Sequence, residues 1–478
     1  MIFIETDIQK NTDDIHALTK AFFPREEIVI TQCDGSLNGT SHPVIKPENS
    51  GKGGKLVYKS DIGAMFEVSI PKDSKDELKR AVYEALSLYT GRELPWGALT
   101  GIRPTRLARR RIEAGMNEKE ILTDMKRCYL ASDEKIRLSI EIANREIELM
   151  RGLEAPDHYS LYIDIPFCPT RCLYCSFTSN AVGKDRSRVD AYLKALESEI
   201  RSCAGLMKGR RLDTVYVGGG TPTALLPKEL ESLMTVLQDE FNIKDTKEVT
   251  VEAGRSDSIT REKLSVLNDF GVTRISVNPQ TMNQKTLETI GRRHTVEQVR
   301  EAYYLAREAG EYDINMDIIL GLPGESSSDV KHTINELSRL DPDSVTIHSL
   351  ALKRASAMKE WLDSNGYDET TDTDEMMAIA CRGAVSLGMK PYYLYRQKNM
   401  SGNLENTGYA KDGRYGLYNI LINEEVQDIL ALGAGAISKR VDAAGNTKRR
   451  ANFKEVDDYI AHVDDMIRRK AELYYKTK

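Results

Sequence analysis

Three cysteines of this chain stand where they could act together. Cys168, Cys172 and Cys175 lie at C-x3-C-x2-C spacing in the stretch 161–180, LYIDIPFCPTRCLYCSFTSN, with Tyr174 just before the last of them. Thiolates on one short loop can hold irons of an iron–sulfur cubane, which four cysteines normally ligate. A local set of three leaves one iron open to another ligand, and an open iron is a place for chemistry as well as electron storage. Two other readings stand beside this one. The three could be part of a zinc site, which wants four nitrogen or sulfur ligands, or they could be buried apolar thiols. No second C-x2-C pair exists, and the remaining four of the seven cysteines, Cys33, Cys128, Cys203 and Cys381, are scattered singly. Cluster ligation accounts for the spacing best.

Further along, polar groups recur where apolar runs end. The run TVYV is followed at once by Gly218-Gly219-Gly220-Thr221-Pro222-Thr223. Glycines let a backbone turn tightly and approach a ligand, although one glycine alone would mark only a turn. Glu252 ends the apolar run of VTVEAGR, where it could meet a ligand's hydroxyls or cap the next helix. Gln280, Arg292 and Asp317 follow, and singly they read as a strand-end amide, a surface charge and a helix cap. Two stretches are dense in basic residues. In 94–115, LPWGALTGIRPTRLARRRIEAG, the arginines suit a carboxylate or phosphate or simply a solvated helix face. In 389–410, MKPYYLYRQKNMSGNLENTGYA, Tyr393, Tyr395, Arg396 and Lys398 could stack on and pair with a flat anionic substrate, or form a plain surface strand.

The elements that must position these groups are regular from residue 159 onward. Apolar runs at 161–165, 214–217, 248–252, 274–277, 315–320 and 344–349 read as strands. Amphipathic runs at 188–207, 227–241, 261–270, 296–309 and 328–340 read as helices. Such alternation predicts a parallel sheet with right-handed crossovers. Six units are too few for a closed eight-unit barrel, so the fold class expected is α/β, a partial (β/α)6 barrel whose site lies at the C-terminal strand ends. Residues 1–150 read as a small α+β domain plus a helical linker. Its expected strands are 1–6 and 64–70, its helices 13–23 and 75–90, with a long loop or hairpin at 34–55. Residues 151–355 form the barrel core. Residues 356–478 form a mostly helical substrate-covering region, ending in an exposed amphipathic helix at 456–478.

Composition sets outer limits. At 478 residues with 40% hydrophobic content the chain can bury two or three cores, and its 67 basic against 73 acidic residues give a net charge of −6, no field for nucleic acid. No apolar run reaches the roughly 20 residues that span a bilayer. The start, MIFIETDIQKNTDD, lacks a basic segment followed by an apolar one. With unpaired cysteines this predicts a soluble cytoplasmic protein.

C-x3-C-x-Tyr-C after an apolar strand resembles the radical S-adenosylmethionine (SAM) enzymes. YIDIPFC and WGALTGIRPT narrow the resemblance to the oxygen-independent coproporphyrinogen III oxidase family, HemZ-type branch, over about 160–440 and, for that branch, the first 150 residues as well. The resemblance implies a [4Fe–4S] cluster on Cys168, Cys172 and Cys175, and one or two molecules of SAM. The cofactor contacts it implies are Tyr162, Tyr174, Gly220, Thr221, Glu252, Gln280, Arg292, Asp317 and Ala351. It also implies a tetrapyrrole substrate under a lid bearing Tyr393, Tyr395, Arg396 and Lys398, a small electron donor such as flavodoxin or ferredoxin, and a monomer. The chemistry implied is oxidative decarboxylation of coproporphyrinogen III to protoporphyrinogen IX, with the radical drawn from SAM and no catalytic side chain. A haem-binding carrier of the same fold, or a radical enzyme acting on another tetrapyrrole, is the alternative. Two positions depart from the pattern. Ser176 and Phe177 stand where the dehydrogenase has a Gly–Cys pair, and Asp164 stands where it and its relatives commonly carry histidine.

Overall fold

The computed structural model describes residues 1–24, 26–32, 44–45, 54–60, 63–70, 74–101, 103–177, 179–183, 185–351, 357–366, 372–397 and 404–475. The chain divides into two compact units, Met1–Arg145 with Leu394–Asn406, and Glu146–Tyr393 with Thr407–Lys478.

In the first unit, β1 (Ile2–Thr6), α1 (Thr12–Phe22), β2 (Ile28–Gln32), β3 (Val44–Ile45), β4 (Gly54–Ser60), β5 (Gly63–Ile70) and α2 (Lys75–Thr90) follow in order. The strands make one sheet, ordered β2-β1-β4-β5-β3. Alternation on the strands meets helical spacing on α1 and α2, so Ile4, Phe66 and Val68 pack against Ile15, Leu18 and Leu86. Three more helices, α3 (Pro104–Glu113), α4 (Glu118–Tyr129) and α5 (Asp133–Met150), continue the chain. Trp96, Ala108, Met125, Ile136 and Leu394 form their shared core. The indole N–H of Trp96 donates to Glu405 Oε2 at 2.7 Å, and Lys135 Nζ lies 2.6 Å from Glu405 Oε1.

The second unit runs β6 (His158–Ile165), β7 (Phe167–Cys168), β8 (Asn180–Ala181), α6 (Ser187–Ala204), β9 (Arg211–Gly219), α7 (Pro227–Phe241), β10 (Glu248–Glu252), α8 (Arg261–Asp269), β11 (Arg274–Ser276), α9 (Gln284–Thr289), α10 (Val296–Ala309), β12 (Asp313–Leu320), α11 (Ser327–Leu340) and β13 (Ser344–Ser349). It ends with α12 (Met358–Asn365), α13 (Thr373–Ser386), β14 (Lys390–Tyr395), β15 (Asn406–Ala410), α14 (Leu417–Glu424), β16 (Asp428–Leu432), β17 (Ile437–Val441), β18 (Thr447–Ala451), α15 (Val456–Ala461) and α16 (Val463–Tyr475). One eleven-stranded sheet, ordered β14-β15-β13-β12-β11-β10-β9-β6-β16-β17-β18, runs through it. β6 and β9 to β13 are the six parallel strands read from the sequence. They are buried on both faces, which is why they read as near-continuous apolar runs.

The C-terminal quarter carries more strand than expected. Beside its helices, β14 to β18 all join the barrel sheet. β16 pairs parallel with β6, and β15 pairs antiparallel with β13. The glycine-bearing run ILALGAGAIS hides β16 and the start of β17 behind its turn. The end is two helices, and it is not exposed throughout: Val456, Tyr459 and Met466 are buried, as is Lys470. In the first unit β2 and β4 went unread, and most of the expected loop at 34–55 lies outside the described residues. Among the described residues no helix is long and apolar enough to cross a membrane.

Candidate functional site

β6 ends at Ile165, and Pro166 turns the chain into the cysteine loop. Backbone hydrogen bonds close that loop on itself: Asn180 N donates to Pro166 O at 2.8 Å and Val182 N to Cys168 O at 2.8 Å. The glycine turn after β9 docks along the same segment, Gly220 N donating to Ile165 O at 2.8 Å and Thr221 N to Phe167 O at 2.7 Å. Each glycine there is required by a different neighbour. A Cβ on Gly218 would meet the Tyr216 ring at 2.8 Å and the Glu252 carboxyl at 3.1 Å, one on Gly219 the Asp164 carboxyl at 2.9 Å, and one on Gly220 the Phe167 carbonyl at 2.6 Å. The triple glycine is therefore a close-approach device between two carboxyls and the cysteine loop.

Cys168, Cys172 and Cys175 are all free and half-buried. Cys168 Sγ lies 3.4 Å from Thr221 Oγ1, and Arg255 Nη1 lies 3.7 Å from Cys172 Sγ. Burial pushes the Cys168 thiol up to about 11 and raises Cys175 as well. As free thiols Cys168 and Cys175 would stay protonated at neutral pH, so a metal must draw their thiolates out. The donor set fits an iron–sulfur cubane, whose thiolates each bind a different iron. Among the described residues no three His, Cys, Asp or Glu side chains are grouped to hold one metal ion.

Around the strand ends lies a polar interior. Glu252 Oε1 accepts from the Tyr216 hydroxyl at 2.5 Å, and Asp164 Oδ2 accepts from Tyr162 at 3.0 Å. Burial holds the Glu252 carboxyl at about 8 and the Asp164 carboxyl at about 7, far above ordinary carboxylates. Among the described residues no cationic side chain pairs with either. Asp317 differs. Burial opposes its ionisation too, but His348 at 3.7 Å and amide bonds from Asn278 at 2.8 Å and Asn315 at 2.7 Å keep its carboxyl below the usual range. Tyr162, Tyr216 and Tyr418 stack, with 4.5 Å between the rings of the last two.

Gln280 sits beside this cluster at φ 66°, a left-handed conformation rare outside glycine. Its backbone is held on both sides, Gln280 N donating to Asp317 O and Ile319 N to Gln280 O, each at 2.9 Å. Its buried Oε1 has no partner, nor do Ser276 Oγ and the Tyr418 hydroxyl. Buried polar atoms left unmet mark a place for a polar ligand. Arg292 is buried, donating to Asn278 O at 2.5 Å and to the Tyr174 hydroxyl at 3.3 Å, which sets its charge beside the cysteine loop.

The Radical SAM superfamily model matches residues 162–337. The oxygen-independent coproporphyrinogen-III oxidase-like protein HemZ of Bacillus subtilis is 40% identical over 422 residues, 86% of this chain and 84% of the relative. The chain belongs to this radical SAM family. The heme chaperone HemW of Bacillus subtilis is 36% identical over 195 residues, 41% of this chain and about half (51%) of the chaperone. The coproporphyrinogen III oxidase HemN of Escherichia coli shares the fold, with a TM-score of 0.55 at 23% identity, covering 67% of this chain and 72% of that one. Radical SAM membership implies a [4Fe–4S] cluster and SAM, and the thiol set and polar interior fit both.

Tyr162, Tyr174, Gly220, Thr221, Glu252, Gln280, Arg292 and Asp317 all lie in the second unit, on the strand ends and turns described above. Ala351 lies just past β13, at the edge of the described residues. The substrate residues divide between the two units where they are described. Tyr393 is buried on β14, its ring where a Cβ on Gly408 would fall, while Arg396 belongs to the first unit. There Arg396 is buried, donating to Leu99 O at 2.8 Å with its guanidinium over the Trp96 ring, so it is part of a packed core and not of a lid. Tyr395 also falls in the first unit, and Lys398 lies outside the described residues. Sequence reasoning passed over Tyr216, Arg255, Asn278, His348 and Tyr418. Arg255 alone left a trace, three residues after Glu252; Tyr418 arrives from 166 residues away and left none.

Proposed function

We propose that this protein oxidatively decarboxylates coproporphyrinogen III propionates to vinyl groups, giving protoporphyrinogen IX for haem synthesis. The observation that carries the reading is the 40% identity across 84% of a coproporphyrinogen-III oxidase-like relative. When bound, the cluster and SAM supply the electron and the 5'-deoxyadenosyl radical that takes hydrogen from the β-carbon of a propionate. The chain's own task is positioning. Cys168, Cys172 and Cys175 would ligate the cluster, and Arg255 and Arg292 would favour its anionic thiolates. Glu252, Gln280 and Asp317 would hold SAM, and the Tyr162–Tyr216–Tyr418 stack would line the approach. No side chain has to act as a general base, because the substrate radical loses carbon dioxide as its C–C bond breaks and passes one electron to an external one-electron acceptor. A small electron donor, a cytoplasmic setting and a monomeric state complete the reading.

The partial likeness to a heme chaperone supports a second reading, a haem carrier on the same frame. One anaerobic experiment separates them. The reconstituted protein is given dithionite, SAM and coproporphyrinogen III, and the products are read by mass spectrometry. Protoporphyrinogen IX rising in step with 5'-deoxyadenosine supports the oxidase. Deoxyadenosine without vinyl product points to another tetrapyrrole, and stoichiometric haem binding with neither product points to the carrier.

A further inference from the structure

We infer that Asp164 is a cofactor-positioning residue that places a second carboxylate, beside Glu252, against the positive charge of SAM. The inference rests on the SAM reading of the barrel mouth and goes beyond the contacts that the family pattern implies.

Asp164 is held from four directions. Its main-chain oxygen accepts from the Tyr192 hydroxyl of α6 at 2.6 Å. Its carboxyl accepts from Tyr162 on its own strand. Two turns close on it, one from β9 and one from β16, each through a glycine with positive φ: Gly219 at 109° and Gly433 at 102°. A Cβ on Gly219 would stand 2.9 Å from all three carboxyl atoms, and one on Gly433 would stand 2.6 Å from the Asp164 carbonyl. One backbone turn thus gives up its side chain to the Asp164 carboxyl and the other to the Asp164 main-chain carbonyl, which seats the residue at the inner end of the glycine loop.

The charges facing that carboxyl all have one sign. Asp164 and Asp317 on β12 both raise Glu252 on β10, burial raises Asp164 itself, and Tyr162, Tyr192, Tyr216 and Tyr418 are neutral. A pair of enclosed carboxyls with no cation among the described residues is costly when ionised. A cation entering between them meets both at once. SAM brings a sulfonium and an ammonium to this loop, whereas S-adenosylhomocysteine lacks the sulfonium. Since Asp164 holds its proton to about pH 7 in the absence of ligand, binding a cation there expels the proton. Affinity for SAM then rises with pH through about 7 as Asp164 ionises and on through about 8 as Glu252 does, falling up to about tenfold per unit for each carboxyl below its own value.

The test measures SAM binding to the anaerobic, cluster-loaded protein by equilibrium dialysis from pH 6 to 8.5, for the wild type and for Asp164→Asn. The expected result is an approximately tenfold weaker Kd for Asp164→Asn at pH 8 and a flatter pH profile. Calorimetry in two buffers of different ionisation enthalpy should show proton release with the wild type and less with the variant. An unaltered thermal midpoint at pH 5 would certify that the variant folds, and Asp164→Glu, which keeps the charge, should recover part of the pH dependence. An Asp164→Asn profile superimposable on the wild type would overturn the role of Asp164 while leaving the SAM site standing. Failure of the wild type itself to bind SAM would overturn the cofactor reading and this inference with it.

Discussion

Two groups of polar residues in the second unit, one buried and one half-buried, share a glycine and are built on opposite principles. Glu199 on α6 is fully enclosed, and every one of its lone-pair directions is used. Lys470 donates to it at 2.6 Å, Tyr459 at 2.7 Å, Asn452 at 2.9 Å, and the Gly433 backbone N–H at 2.7 Å. Across the same Gly433, Asp164 and its neighbour Glu252 have one tyrosine hydroxyl each and no cation among the described residues. A saturated buried network fixes one arrangement of the chain, whereas an unsaturated one is costly unless something fills it. The Glu199 network ties α15 and α16 to α6 and is structure. The Asp164–Glu252 pair is half-buried beside three consecutive glycines, with one tyrosine hydroxyl on each carboxyl, and that marks it as the ligand end.

The sharpest way to break this contrast is at the cysteines. Cys168→Ala should abolish the brown visible absorbance of the reconstituted cluster while leaving the fold's circular dichroism unchanged; retention of the full colour would remove the ligand assignment. Glu199→Ala should do the reverse. Stranding Lys470 in the core should lower stability by about 3–5 kcal/mol in urea titration, with cluster content per folded molecule intact. Loss of cluster at unchanged stability would show that the two regions are not separate in role. Glu252→Gln should weaken SAM binding by roughly 10- to 100-fold, the worth of about 1.5–3 kcal/mol for a hydrogen bond to a charged group, without loss of thermal stability. The smallest effect is in pH. Asp164 and Glu252 hold protons in the folded chain to about 7 and about 8, well above their unfolded values. Their folded state therefore binds more protons, and their contribution to stability falls as pH rises from about 4 through 8. Thermal midpoints of the ligand-free protein should show Asp164→Asn gaining on the wild type over that range; an advantage that shrinks with rising pH would contradict the burial of this carboxyl.

The barrel was legible because its signal is local. Two expected strands, 248–252 and 344–349, and two expected helices, 227–241 and 296–309, fall on the observed bounds. Parallel strands buried on both faces give unbroken apolar runs, and Thr295 with Gln298 makes a capping box that marks the start of α10. The cysteine loop and glycine turn were legible for the same reason, each being a short run of unusual residues. What stayed hidden depends on distant pairing. β16 adds to the parallel sheet only because it meets β6 after more than 260 residues, and its sequence reads as one side of a glycine turn. Tyr418 enters the tyrosine stack from a short helix whose own spacing shows nothing of it. Arg396 reads as an anion-binding arginine in a Tyr-rich strand, yet its chain has crossed into the first unit and packs on Trp96. Asp164 looked like a lost histidine until Gly219 and Gly433 showed two turns shaped around it.

The central claim is that the open polar mouth of the barrel, beside the three cysteines, is where SAM meets the cluster. It is tested most directly by electron paramagnetic resonance on the anaerobic, dithionite-reduced protein before and after SAM is added. A cluster held by three cysteines with SAM on its open iron should change its g-tensor on addition of SAM, and Glu252→Gln should need more SAM for the same change. A spectrum that does not respond to saturating SAM would contradict the account.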